Sequence, residues 1–162
     1  MRHAAAAGEE PGGSDFERRL TNDGVQTATT TATAIRNSEF HIDRIIASAA
    51  LRTRQTADLI VEGMQLSAGR LDLDELYLAT AKAFESAVCK HTFEDESSVL
   101  VVGHNPGIAD LICRWADRII SVPPATVAIF ESPAETWSDV RLTKIHLPKL
   151  VCLMRNGKVV TT

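Results

Sequence analysis

Four consecutive apolar residues, Val99-Leu100-Val101-Val102, run straight into Gly103-His104-Asn105-Pro106-Gly107. No other stretch limits the possible folds as tightly. A continuous, largely β-branched run of this length fits a strand covered on both faces, as in a parallel sheet. Asn105-Pro106-Gly107 imposes a turn. Ile108, Leu111, Ile112 and Trp115 then recur with helical spacing. Strand, tight loop and helix leave one histidine at the carboxyl end of the strand, where open α/β sheets build their sites. The first N–H groups of the helix are aimed at the same spot and favour an anion.

The same strand-to-helix pattern occurs earlier. Ile42–Ala47 reads as a strand, followed by Ser48-Ala49-Ala50-Leu51-Arg52 and a helix through Ala57, Ile60 and Val61 toward Gly63. Arg52 is thereby delivered near the start of a helix. Thr21 is a good N-cap for a helix carrying Val25, Ala28, Ala32 and Ile35. Phe84–Phe93 looks helical, and Leu71–Leu78 is a short apolar segment bearing Asp72, Asp74, Glu75 and Tyr77. Thr126–Phe130 and Val140–Ile145 read as strands, the second at an edge. The tail Leu147–Thr162 reads as irregular or as a small hairpin at Asn156-Gly157. With no repeat or linker, the expectation is one α/β domain over residues 1–162. It has three layers, with a mostly parallel sheet and helices on both faces.

Net charge is -4, which excludes a general attraction to nucleic acid, so any anion site must be built locally. The three cysteines, Cys89, Cys113 and Cys152, are far apart and show no metal spacing. Reduced thiols and a cytoplasmic location fit them. No apolar stretch has the length of a membrane span, and no signal region follows the first residues. No cofactor or metal is expected.

Three segments then bear chemistry: Arg2-His3, Arg52 and His104. If the strands are parallel, their carboxyl ends meet on one edge and bring two imidazoles and two guanidiniums together. A neutral imidazole can attack phosphorus. Guanidiniums bind non-bridging oxygens and neutralise charge growing on them. That is a phosphoryl-transfer pocket needing no metal.

These segments carry a resemblance to the histidine phosphatase superfamily, and within it to the SixA-type phosphohistidine phosphatases. Met-Arg-His-Ala at 1–4 looks like the family's Arg-His-Gly/Ala motif. Asp15-x-x-Arg18-x-Leu20-Thr21-x-x-Gly24 is similar to its second block, and Ser48-x-x-x-Arg52-x-x-Gln55-Thr56-Ala57 to its third. Glu75-Leu76-Tyr77-Leu78-Ala79, Val101–Gly107 and the closing Leu147-Pro148-Lys149-Leu150 match the rest, in family order. The resemblance implies a phosphoglycerate mutase-like fold. It assigns His3 as the nucleophile that becomes phosphorylated. Arg2 and Arg52 clamp the phosphoryl oxygens, and His104 completes the pocket. Arg18 matches a position near the phosphate, and Asn105 offers its backbone N–H.

Two departures from the family pattern stand out. The family places an apolar strand directly before its Arg-His pair, whereas here only Met1 precedes it. Either the true start lies upstream or the sheet is remodelled, and neighbouring edges would be unpaired and the nucleophile loosely held. The larger phosphomonoesterases of the superfamily also carry an acid that protonates an alkoxide leaving group. Asp74 and Glu75 are the nearest candidates, and a solvated turn is the better reading of them. Imidazole leaves more readily than an alkoxide, which favours protein phosphohistidine as substrate. The expected partner is a phosphohistidine-bearing protein, such as a histidine phosphotransfer domain, in signal transduction. Two alternatives remain open: a small-molecule phosphomonoesterase or mutase on the same site, and a non-catalytic phosphate- or phosphoprotein-binding module. His41, His91 and His146 are expected to be surface or satisfied residues. Arg54 is expected to face solvent, Cys113 and Trp115 to pack in or near the core, and Glu94–Glu96 to form a solvated turn.

Overall fold

The computed structural model describes residues 1–140 and 148–160. Helix α1 (Asn22–Arg36) starts at Thr21, whose hydroxyl accepts the Gly24 N–H at 3.0 Å. It is followed by β1 (Arg44–Ser48), α2 (Leu51–Met64), β2 (Gly69–Leu73), α3 (Ala81–His91), β3 (Val99–Val102) and α4 (Gly107–Trp115). The strands β4 (Val127–Glu131), β5 (Lys149–Arg155) and β6 (Lys158–Val160) complete the order.

Strands β2, β1 and β3 form a parallel sheet in that order, with Ile46 opposite both Leu71 and Val101. β1 separates two apolar layers because its side chains alternate. Ile45 and Ala47 pack with Ala28, Ala32 and Ile35 of α1 and with Ala57 and Ile60 of α2. Ile46 packs on the opposite side with Phe84 of α3 and with Ile108, Leu111 and Ile112 of α4. The α/β architecture with helices on both faces is therefore as the patterning indicated.

The carboxyl-terminal strands add an antiparallel half in the order β4-β5-β6. The tail is therefore not irregular. Cys152, Leu153 and Met154 are buried, and β5 has a partner on each side. Asn156 and Gly157, at φ 50° and 69°, make the β5–β6 turn. This left-handed pair matches the twist of a tight hairpin. The strand expected over Val140–Ile145 lies, past Val140, outside the described residues, as does His146.

Met1–His3 joins the two halves. The Met1 amine donates to the Val101 carbonyl at 2.7 Å, Gly103 N–H to the Met1 carbonyl at 3.1 Å, and His3 N–H to the Gly103 carbonyl at 3.0 Å. On the other side Arg2 N–H donates to the Thr126 carbonyl at 3.0 Å, and Ala125 N–H to the His3 carbonyl at 3.1 Å. The backbone of His3 is thus held from both flanks, contrary to the expectation of a loosely held nucleophile. A groove of about 620 Å³ is lined by Met1 and by residues of β3 and β4.

Candidate active site

The ends of β1, β3 and the Met1–His3 segment come together, and each delivers one group. His104 follows β3 and is 2% exposed. Gly107 lets the next turn close tightly over it, since a Cβ there would lie 1.9 Å from the Ala79 carbonyl oxygen. The His104 ring stands 5.1 Å from the His3 ring, tilted by 60°.

His3 Nδ1 lies 2.7 Å from the Ala4 carbonyl oxygen. A carbonyl only accepts, so Nδ1 carries the hydrogen and the Nε2 lone pair is bare. Burial lowers the His3 pKa to about 4, with the Arg52, Arg2 and Arg18 charges adding to it and the Ala4 carbonyl opposing. His104 is lowered to about 3, mainly by burial and then by His3 and Arg52, with Asp15 opposing. Both imidazoles are neutral at neutral pH. His104 Nε2 lies 2.8 Å from the Ser48 hydroxyl, and its Nδ1 is buried without a partner among the described residues.

Arg52 sits in the first turn of α2 and is 3% exposed. Its Nη2 donates to Asp15 Oδ2 at 2.8 Å and its Nη1 to the Asp15 carbonyl. Arg18 donates from Nη1 to Asp15 Oδ1 at 2.7 Å and from Nε to the Ala7 carbonyl at 2.6 Å. Tyr77 Oη donates to Asp15 Oδ2 at 2.6 Å, and the Tyr77 ring meets the His104 ring edge-on at 5.6 Å. The Tyr77, Arg18 and Arg52 bonds hold the Asp15 carboxyl well below the usual carboxylate range. Arg2 Nη1 and Asn105 Nδ2 both donate to the Val122 carbonyl, at 2.9 and 3.1 Å. Arg2 Nε and Asn105 Oδ1 are buried without partners among the described residues.

The structure therefore gathers Arg2, His3, Arg18, Arg52, His104 and Asn105 around one place. Asp74 and Glu75 are exposed, and no side-chain hydrogen bond among the described residues ties either one to the site. Three further residues belong to this cluster: Ser48, Asp15 and Tyr77. All lie inside motifs that are visible in the sequence, yet nothing in their spacing reveals that Ser48 bonds to His104, Asp15 to Arg52 and Arg18, and Tyr77 to Asp15.

Of the other expectations, those for Arg54, Glu94–Glu96 and His91 are corrected, whereas those for His41, Trp115 and Cys113 hold. Arg54 is half-buried, in a pocket with Asp58, Arg70 and Asp72, and does not point freely to solvent. Glu96 pairs with the Arg44 guanidinium at 2.6 Å with only 13% of its side chain exposed, so Glu94–Glu96 is not simply a solvated turn. His41 is on the surface, 2.8 Å from Asp43, whereas the half-buried His91 has a buried Nε2 without a partner among the described residues. Trp115 packs edge-on against Phe130 and bonds to Glu85. Cys113 is half-buried and accepts the Ile120 N–H.

Residues 1–79 match the family model of the histidine phosphatase superfamily (branch 1). The fold superimposes on SixA from Nakamurella multipartitia with TM-score 0.79 at 28% identity, over 96% of this chain and 92% of that one. The amino-terminal 79 residues are thus similar to the histidine phosphatase superfamily, and the whole fold is similar to SixA structures. SixA from Agrobacterium tumefaciens aligns at 24% identity and TM-score 0.79, over 96% of this chain and 94% of that one. A protein histidine phosphatase SixA complexed with tungstate aligns at 22% identity and TM-score 0.79, over 96% and 94% respectively. The likeness to these last two shows the fold alone. No curated protein matches the sequence significantly. Among the described residues no helix is long and apolar enough to cross a membrane.

Proposed function

We propose that this chain is a member of the histidine phosphatase superfamily, a metal-independent phosphatase that takes phosphoryl groups from protein phosphohistidine through a phosphohistidine at His3. The observation that carries the reading is the state of His3: neutral, with Nδ1 fixed on the Ala4 carbonyl and Nε2 free between charged guanidiniums. A neutral imidazole nitrogen beside cations is a nucleophile suited to an anionic phosphoryl group.

In the first step His3 Nε2 bonds to phosphorus and the bond from phosphorus to the substrate nitrogen breaks. The departing imidazole takes its proton from water. Arg2 and Arg52 neutralise the oxygens of the transferring group. With the Ser48 hydroxyl donating to His104 Nε2, His104 Nδ1 carries a hydrogen that a phosphoryl oxygen can accept. In the second step water attacks the phosphorylated His3, the P–N bond breaks, and phosphate leaves with His3 restored. Among the described residues no carboxylic acid is joined to the site as a proton donor for an alkoxide, because Asp15 is held ionised. That supports a leaving group such as imidazole over serine or sugar alkoxides. The partner is then a protein bearing phosphohistidine, and a signalling role in the cytoplasm follows as part of the same proposal.

The test is turnover of a phosphohistidine protein and of nitrophenyl phosphate in the presence of chelator. Loss in His3→Ala and an acid-labile phosphoryl group trapped on the wild-type chain are expected. Loss of activity with chelator, restored by one metal, would overturn metal independence. Phosphate binding without any turnover would make the chain a binding module.

A further inference from the structure

Arg2, Arg18 and Arg52 each press on the His3 imidazole electrically. Among the described residues, Asp15 is the carboxylate bonded directly to this group, and it reaches two of the three guanidiniums. Both imidazoles are neutral. Three positive charges less one negative leave two, which is the charge of one phosphoryl dianion. A donor whose leaving group is neutral fills such a pocket to balance. A donor with a second anionic group brings one charge too many against a partly buried site, where it is poorly screened.

We propose that Asp15 sets leaving-group specificity: its carboxylate, held between Arg52, Arg18 and Tyr77, matches the pocket to a single phosphoryl dianion and disfavours phosphoryl donors that carry a second anion. The inference rests on the phosphatase reading and narrows its substrate class. An ionised carboxylate offers about four acceptor positions. Tyr77 and Arg52 take two on Oδ2, and Arg18 takes one on Oδ1. The remaining position belongs to a side chain that is 35% exposed, so it is open to an incoming N–H. An imidazole leaving group can supply that N–H, whereas a carboxylate or second phosphate there is repelled by the Asp15 charge, to which the two guanidiniums are already bonded.

The test uses three phenyl phosphates of similar leaving ability: the unsubstituted ester, its 4-carboxylate and its 4-aminomethyl derivative. The wild-type chain is expected to favour the cationic ester and to disfavour the anionic one in kcat/KM. In Asp15→Asn the ratio of anionic to neutral ester should rise about tenfold, mostly through KM. Tyr77→Phe removes a hydrogen bond to the same carboxylate but leaves its charge, so overall activity falls while the ratio stays. An unchanged ratio in Asp15→Asn, or an equal change in Tyr77→Phe, would overturn the proposal. The same ratios are read from dissociation constants. If the wild-type chain turns over none of the esters, the phosphatase reading fails, and the binding ratios still decide the role of Asp15.

Discussion

The protonation of His3 provides a direct test of the site. An imidazole with the ordinary pKa of about 6.5 is only about 3% neutral at pH 5, whereas one at about 4 is about 90% neutral. The difference is roughly thirtyfold in nucleophile concentration at that pH. The assay is a nuclear magnetic resonance titration of the five histidines, with His3→Ala and His104→Ala identifying two of the signals. Midpoints near 4 for His3 and near 3 for His104 are expected. The rings are close enough for the two steps to belong to the pair as a whole. Arg52→Gln should move the His3 midpoint upward but not to 6.5, because burial is the larger cause. The sign of the stability effect follows. Both imidazoles are lowered in the folded chain, so between pH 6.5 and about 4 the unfolded chain binds more protons and stability falls as pH falls. A His3 midpoint at 6 or above would refute the reasoning, since His3 would then be substantially charged under mild acid and its environment would not be desolvated as described.

Ser48→Ala frees the His104 ring, and kcat for nitrophenyl phosphate should fall about tenfold or more with a smaller change in KM; unchanged kcat would remove Ser48 from the site. Gly107→Ala places a Cβ against the Ala79 carbonyl oxygen, and urea unfolding should show a loss of about 3 kcal/mol. A loss below about 0.5 kcal/mol would contradict that contact. Glu75→Gln should leave turnover of a phosphohistidine protein within about twofold, and alkyl phosphates should be poor substrates; alkyl phosphate turnover at comparable rates, lowered about 10²-fold or more by Glu75→Gln, would reveal a proton donor.

The parts of the fold that were legible are those where one local pattern meets one local requirement. Val99–Val102 is apolar because it lies between two helical layers, and the turn and helix after it follow from Asn105-Pro106-Gly107 and the apolar stripe of α4. Thr21 marks the start of α1 because its hydroxyl satisfies an otherwise free N–H. Where side chains serve the site instead of the core, the same rules fail. Helix α2 begins at Leu51, six residues before the apolar pattern starts, because its first turns bury Arg52, Thr53 and Thr56. Thr56 accepts the Ala4 N–H at 3.1 Å, and Thr53 donates to the Ser48 carbonyl at 2.7 Å. Those polar residues resemble a loop in sequence and are instead the wall on which the nucleophile's segment rests. The apolar run ends at Ala47 and leaves Ser48 outside the strand pattern for the same reason, although β1 carries Ser48 to the His104 ring.

The Asp15 network extends this argument. Asp15 opens a 3₁₀ turn, Arg52 lies on a helix and Tyr77 just after another 3₁₀ turn, separated by 37 and 62 residues from Asp15. No periodicity links positions so far apart, and each residue taken alone has an ordinary surface explanation. Their meeting requires the parallel sheet to place the ends of β1 and β2 side by side, and α2 and the Asp74–Leu76 turn to start from that edge. The sheet is encoded by apolar runs, whereas the charge balance of the pocket is encoded by residues that only the finished sheet brings together. A change in Asp15 should therefore leave the fold intact and alter which phosphoryl donors the pocket accepts.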